Sequence, residues 1–145
     1  MDKIEEMLSS GGAVVLPTET VYGLFCKALD EQAVSHVYDL KGRPREKALN
    51  LNVSSLEEIY QFSKHQPQYL KKLYQAFLPG PLTIILQANE QVPIWVNSGM
   101  KTIGFRVPSH PKTLDLIRKF GPLIGPSANL SGKSSGVNFQ QIMTD

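Results

Sequence analysis

An α/β fold, a twisted mixed sheet flanked by helices, is what the order of apolar patterns predicts. Stretches with a two-residue period alternate with stretches of helical period, and glycine, proline or a capping residue marks most of the switches. The 145 residues suffice for one domain with a sizeable core, and 41% hydrophobic with 19% charged residues is ordinary globular composition. The net charge of +2 is too small for a polyelectrolyte surface, so an anionic ligand is expected to meet a local patch.

The elements follow in order. Ile4, Met7 and Leu8 share one helical face, which Gly11–Gly12 ends. Residues 13–16, Ala-Val-Val-Leu, read as a short strand buried on both faces and closed by Pro17. Asp30 can cap a helix over 31–41, with Val34, Val37 and Tyr38 inward. Leu49, Leu51 and Val53 alternate with Asn50 and Asn52, as in a strand with one buried face. Ser54 and Glu57 have capping-box spacing. Pro67 suits the first turn of a helix with the stripe Leu70, Leu73, Tyr74 and Phe77, and Pro79-Gly80-Pro81 stops it. Residues 82–88 read as a central strand. Residues 102–107 alternate again, 111–120 are helical with Gly121 as the stop, and 122–125 form a brief strand. A loop rich in glycine and serine covers 125–136. Asn138 can cap a further helix, and the chain is expected to continue beyond Asp145 in the natural protein, so 1–145 reads as a single domain shortened at its C-terminus.

Several chemistries lack their residues. The single Cys26 excludes an internal disulfide and a cysteine-rich zinc site, and reads as a small buried apolar side chain. His36, His65 and His110 are scattered without ligand spacing. Gly132-Lys133-Ser134 imitates the end of a phosphate-binding loop, but no glycine stands five residues upstream of Gly132. The N-terminus carries acidic residues early, and no apolar stretch approaches the roughly 20 residues of a membrane span. A soluble, cytoplasmic protein is expected.

Four polar stretches interrupt this apolar framework. "PTETVYGL" (17–24) follows the first strand and offers hydroxyls and a carboxylate where open sheets bind ligands; a strand-to-helix turn with capping Thr and Glu accounts for it equally well. "KGRP" (41–44) reads as a helix end, with cations opposite the macrodipole, a glycine cap and a proline stop. It also reads as a phosphate grip, because Arg45 and Lys47 follow closely. In "TIGFRVP" (102–108), Ile103, Phe105 and Val107 face the core, while Thr102, Gly104 and Arg106 share a bare polar face. An arginine there requires an anion, either a structural carboxylate or a ligand. "GPSANLSG" (125–132) can present N–H groups and hydroxyls to an anion, or be a solvated turn.

Taken together, "PTETVYGL", "KGRP", "PGPLT", "GFRVPSHP" and "PSANLSG" resemble the YrdC-like family, the threonylcarbamoyl-adenylate synthases of tRNA modification, in order and in approximate spacing from Gly12 to Gly136. The resemblance implies a twisted mixed sheet around a concave, positively lined cavity. It implies an enzyme that joins L-threonine, bicarbonate and ATP into threonylcarbamoyl-AMP and pyrophosphate, with Mg²⁺ on the phosphates and downstream threonylcarbamoyl-transferase proteins as partners. Carried over by position, Lys41, Arg43, Lys47, Thr102, Ser127, Asn129 and Ser135 resemble ATP contacts, with Lys41 and Arg43 stabilising charge. Thr20, Tyr22, Asn52 and Arg106 resemble a threonine pocket. No acid–base residue is implied, because threonine carbamate is already an anionic nucleophile. Asn52 stands where many members have histidine, and Ala48 where many have proline. A tail with a Ser-Thr-Val segment and an arginine, usual in the family, is not in these 145 residues. The alternative function is a non-catalytic module that binds tRNA or double-stranded RNA in the same basic cavity.

Overall fold

The computed structural model describes residues 2–17, 22–42 and 49–125, with Tyr22 described by its backbone alone. The chain runs α1 (Lys3–Ser9), β1 (Val14–Pro17), β2 (Tyr22–Lys27), α2 (Glu31–Lys41), β3 (Leu51–Asn52), α3 (Leu56–Phe62), β4 (Ser63–Lys64), α4 (Leu70–Phe77), β5 (Gly80–Ala88), α5 (Ile94–Asn97), β6 (Thr102–Val107), α6 (Pro111–Phe120) and β7 (Leu123–Ile124). Seven strands form one sheet in the order β1-β2-β7-β3-β6-β5-β4. Only the pair β3–β6 is parallel among the described strands, so the sheet is mixed, as expected.

Local chemistry explains the helix limits. The Asp30 side chain accepts from the Ala33 N–H at 3.1 Å and opens α2, whose residues Ala33, Val34, Val37 and Tyr38 are buried. Gly42 closes it in the left-handed region (φ 62°) that a side chain would resist. On α6, Pro111 takes the first turn and the Gly121 N–H returns to the Ile117 carbonyl at 2.8 Å. On α3 the cap is one residue later than the spacing suggested: Ser55 accepts from the Glu58 N–H, and the Glu58 carboxylate accepts from the Ser54 N–H at 2.9 Å.

The two sheet faces carry separate cores. On one, Leu8 of α1 and Leu116 and Ile117 of α6 pack on Leu16, Phe25 and Leu123. On the other, α2, α3 and α5 pack on Leu51, Ile84, Ile103, Phe105 and Ile124. Four expectations are corrected. β1 is an edge strand, so Val15 is 49% exposed rather than buried on both sides. "PTETVYGL" joins two antiparallel strands, Pro17 pairing with Tyr22, and is no strand-to-helix turn. β5 is next to the edge, with one face open. Met7 and Phe77 (58% exposed) face outward, because their helices are only about two turns long and bury a narrow stripe. No described helix is long and apolar enough to cross a membrane.

Candidate functional site

Paired strand residues put their side chains on the same face, so the register identifies one continuous floor. Asn52 pairs with Leu123 on one side and with Arg106 on the other. Leu123 belongs to the core under α1 and α6, so Asn52 and Arg106 lie on that same face. Gly104 and Thr102 continue it along β6, and their partners Ile85 and Gln87 continue it on β5. The helices α1 and α6 cover the β1–β2–β7 half. Over β3, β6 and β5 the floor stands open among the described residues: Asn50, Ile85, Gln87 and Thr102 are exposed.

Arg106 is half-buried on this interior strand, between apolar neighbours Phe105 and Val107 that point into the opposite core. Asn52 beside it is 4% exposed and donates its amide to the Leu123 carbonyl at 3.3 Å, which ties β3 to β7 beneath the floor. Thr102 begins β6, where its carbonyl accepts from the Asn97 side chain at 3.0 Å. Positions 102 and 106 are therefore about 13 Å apart along one strand, on one face.

The topology brings the other candidate stretches to one end of the sheet. β1 ends and β2 begins there, at Pro17 and Tyr22. β7 ends there, since it runs antiparallel to both β2 and β3, and Gly125 leads out of it. β3 and β6 start there. Helix α2 follows β2 after a tight turn and packs back along it over about 16 Å, so Lys41 also arrives at that end. Lys41 is 5% exposed, a buried cation in the last turn of a helix on the opposite face from Arg106.

Of the residues singled out from sequence, the structure thus sets Asn52 against Arg106 and puts Thr102 on their face. Lys41 lies at the end where β6 starts. Tyr22 lies at the same end as Lys41, three strands across from Arg106 and five positions along. Thr20, Arg43, Lys47, Ser127, Asn129 and Ser135 lie outside the described residues. So does most of the expected basic lining; Arg106 is the cation contributed by the described part of the floor. Two residues not singled out as candidates, Asn50 and Ile85, flank Gly104 on this floor. For Asn50 the signal was present in the alternation of Leu49–Val53, which fixes its face once β3 is paired with β6; Ile85 follows only from the register of β5 with β6.

Other chemistries find no support here. Cys26 is fully buried, and burial pushes its thiol up to about 12, with Asp30 adding to the effect. Among the described residues no group of three or more His, Cys, Asp or Glu side chains could hold a metal ion.

Comparison with known proteins adds the following. The family model Sua5_yciO_yrdC, described as "Telomere recombination", matches residues 6–145. A relative from Pyrococcus abyssi named threonylcarbamoyl-AMP synthase is 39% identical over 139 residues, covering 95% of this chain and 41% of its own length. A relative of the same name from Cellvibrio japonicus is 34% identical over 137 residues, covering 94% of this chain and 72% of its own. The solved structure of P. abyssi Sua5 complexed with L-threonine has a TM-score of 0.90 at 38% identity, covering 97% of this chain and 42% of that one. The chain spans less than half the length of the P. abyssi relative.

Proposed function

The chain belongs to the Sua5/YciO/YrdC family, and from this we propose that it forms threonylcarbamoyl-AMP and pyrophosphate from L-threonine, bicarbonate and ATP, for tRNA threonylcarbamoyladenosine modification. The observation that carries the reading is Arg106, a half-buried guanidinium on the open floor of an interior strand, about 13 Å along that strand from exposed Thr102. An arginine fork suits a carboxylate, so Arg106 holds that group of L-threonine. Asn52 fixes the strand spacing under it. Thr20, Tyr22 and Asn52 are assigned to threonine by resemblance alone; Asn52 stands beside Arg106, while Tyr22 lies three strands across and five positions along.

The amine of L-threonine takes up bicarbonate to give a carbamate and water. A carbamate oxygen then attacks the α-phosphorus of ATP, and the bond to pyrophosphate breaks. No side chain needs to act as a base on the carbamate. The protein's task is to hold two anions in line and to neutralise the charge that develops on the phosphates. Lys41 and Arg43 are assigned that role, with Lys47, Thr102, Ser127, Asn129 and Ser135 as further ATP contacts. Lys41 reaches the end of the sheet where Thr102 stands, but from the opposite face, so its assignment rests on the resemblance. Mg²⁺ is assigned to the ATP phosphates by resemblance, where it would supply charge neutralisation for the leaving pyrophosphate. We assign the enzyme to the cytoplasm, with downstream threonylcarbamoyl-transferase proteins taking its product.

The test is pyrophosphate release by the 145-residue chain with ATP, Mg²⁺ and bicarbonate, with and without L-threonine. Threonine-dependent release is expected. Release that ignores threonine would overturn the reading. RNA binding with a steep salt dependence, in place of ATP binding, would favour the RNA-binding alternative.

A further inference from the structure

The floor beside Arg106 carries a second recognition element, and the inference rests on the reading of that floor as an amino-acid pocket. Gly104 is the bare rung of β6. A Cβ there would collide with Asn50 Oδ1 and lie 3.0 Å from both Asn50 Cγ and Thr83 Cγ2. The missing side chain is therefore what lets the Asn50 amide lie flat across β6 from the β3 side. From the β5 side, the same rung is flanked by Ile85, which pairs with Gly104 and is 68% exposed. Gly104 itself is buried beneath the Asn50 amide and the Thr83 methyl, and the exposed Asn50 and Ile85 stand on its two sides. Arg106 stands two residues further along the same face, about 7 Å away. The Asn52 amide, by contrast, is 4% exposed and donates to the Leu123 carbonyl. Asn50 is exposed.

We propose that Asn50 is a specificity-determining residue, whose side-chain amide hydrogen-bonds the side-chain hydroxyl of the bound amino acid while Arg106 holds its carboxylate and Ile85 meets its methyl group. Threonine carries a hydroxyl and a methyl on one carbon. The Gly104 rung offers a polar partner on one flank and an apolar one on the other, at a distance from Arg106 that a small amino acid spans. A polar group that pairs with a substrate hydroxyl rejects the isostere lacking it, because the group is then left without its partner.

The experiment is calorimetric titration of L-threonine, L-valine and L-serine into the 145-residue chain and its Asn50→Leu, Asn50→Ala and Ile85→Ala variants. Asn50→Leu should weaken L-threonine binding about tenfold and leave L-valine unchanged. Ile85→Ala should narrow the preference for L-threonine over L-serine and keep that over L-valine. Asn50→Ala carries the same expectation as Asn50→Leu and serves if the leucine variant fails to fold. Equal losses for L-threonine and L-valine, or no loss for either, would overturn the assignment of Asn50. A wild-type chain that binds none of the three amino acids would remove the reading of the floor itself, and this inference with it.

Discussion

Asn52 and Arg106 are register partners on the parallel strands β3 and β6, and the N–H that follows Asn52, that of Val53, donates to the Arg106 carbonyl at 2.9 Å. The backbone of Arg106 is thus held by the same short strand whose side chain Asn52 grips β7. A guanidinium mounted on such a rigid base can present a fixed fork to a carboxylate, whereas an ammonium offers a point charge. Arg106→Lys should therefore lower L-threonine affinity roughly tenfold despite the retained charge, with ATP affinity changed much less. Titration of each substrate checks it; equal threonine affinity in the two proteins would remove the carboxylate clamp.

The exit from β7 is equally constrained. Gly125 lies under the Phe25 ring, where an added Cβ would stand 2.6 Å from Phe25 Cε1 and 2.9 Å from Cγ. Phe25 cannot easily give way, since it is packed among Leu8, Leu16, Leu116, Ile117 and Leu123. Gly125→Ala should cost about 1–3 kcal/mol in urea unfolding through overpacking. Combined with Phe25→Leu it should cost less than the sum of the two single changes, because the smaller side chain vacates the space.

Where the sequence was legible, one strong local signal coincided with one element. Asp30 and Gly42 bound α2; the alternation of Ile103, Phe105 and Val107 set the faces of β6; Pro111 and Gly121 bound α6. The hairpin β1–β2 was not legible, because Thr18, Glu19 and Thr20 are as good at capping a helix as at turning a strand, and pairing decides between them. β4 and α5, two and four residues long, are too short to show a period. The open floor was half legible. Alternation gave the polar face of β6, but only the register with β3 and β5 added Asn50 and Ile85 to it.

The one-residue error at α3 yields its own prediction. The hydroxyl of Ser55, not of Ser54, receives the Glu58 N–H, at 3.3 Å, in the first turn of the helix. Ser55→Ala should destabilise the protein by about 1 kcal/mol, the usual loss of an N-cap. Ser55→Gly should cost only a few tenths of a kcal/mol. A comparison of urea midpoints decides; equal midpoints for wild type and Ser55→Ala would mean that Ser54 carries the cap after all.

Cys26 links the core to pH. Burial, helped by the nearby charge of Asp30, raises its thiol from 9.0 to about 12 in the folded protein. The unfolded chain releases this proton near 9 and the folded chain does not until about 12, so between those values the unfolded state binds fewer protons and stability falls as pH rises. The contribution is complete below 9 and lost across that window. Cys26→Ala should make the decline shallower there, whatever its offset from the cavity left in the core. The thiol should also resist alkylation at pH 8 in the folded protein and react once urea unfolds it, because the thiolate is the reactive form. Unfolding curves at stepped pH values test the first expectation. Unchanged slopes in wild type and Cys26→Ala would assign the alkaline decline to other groups.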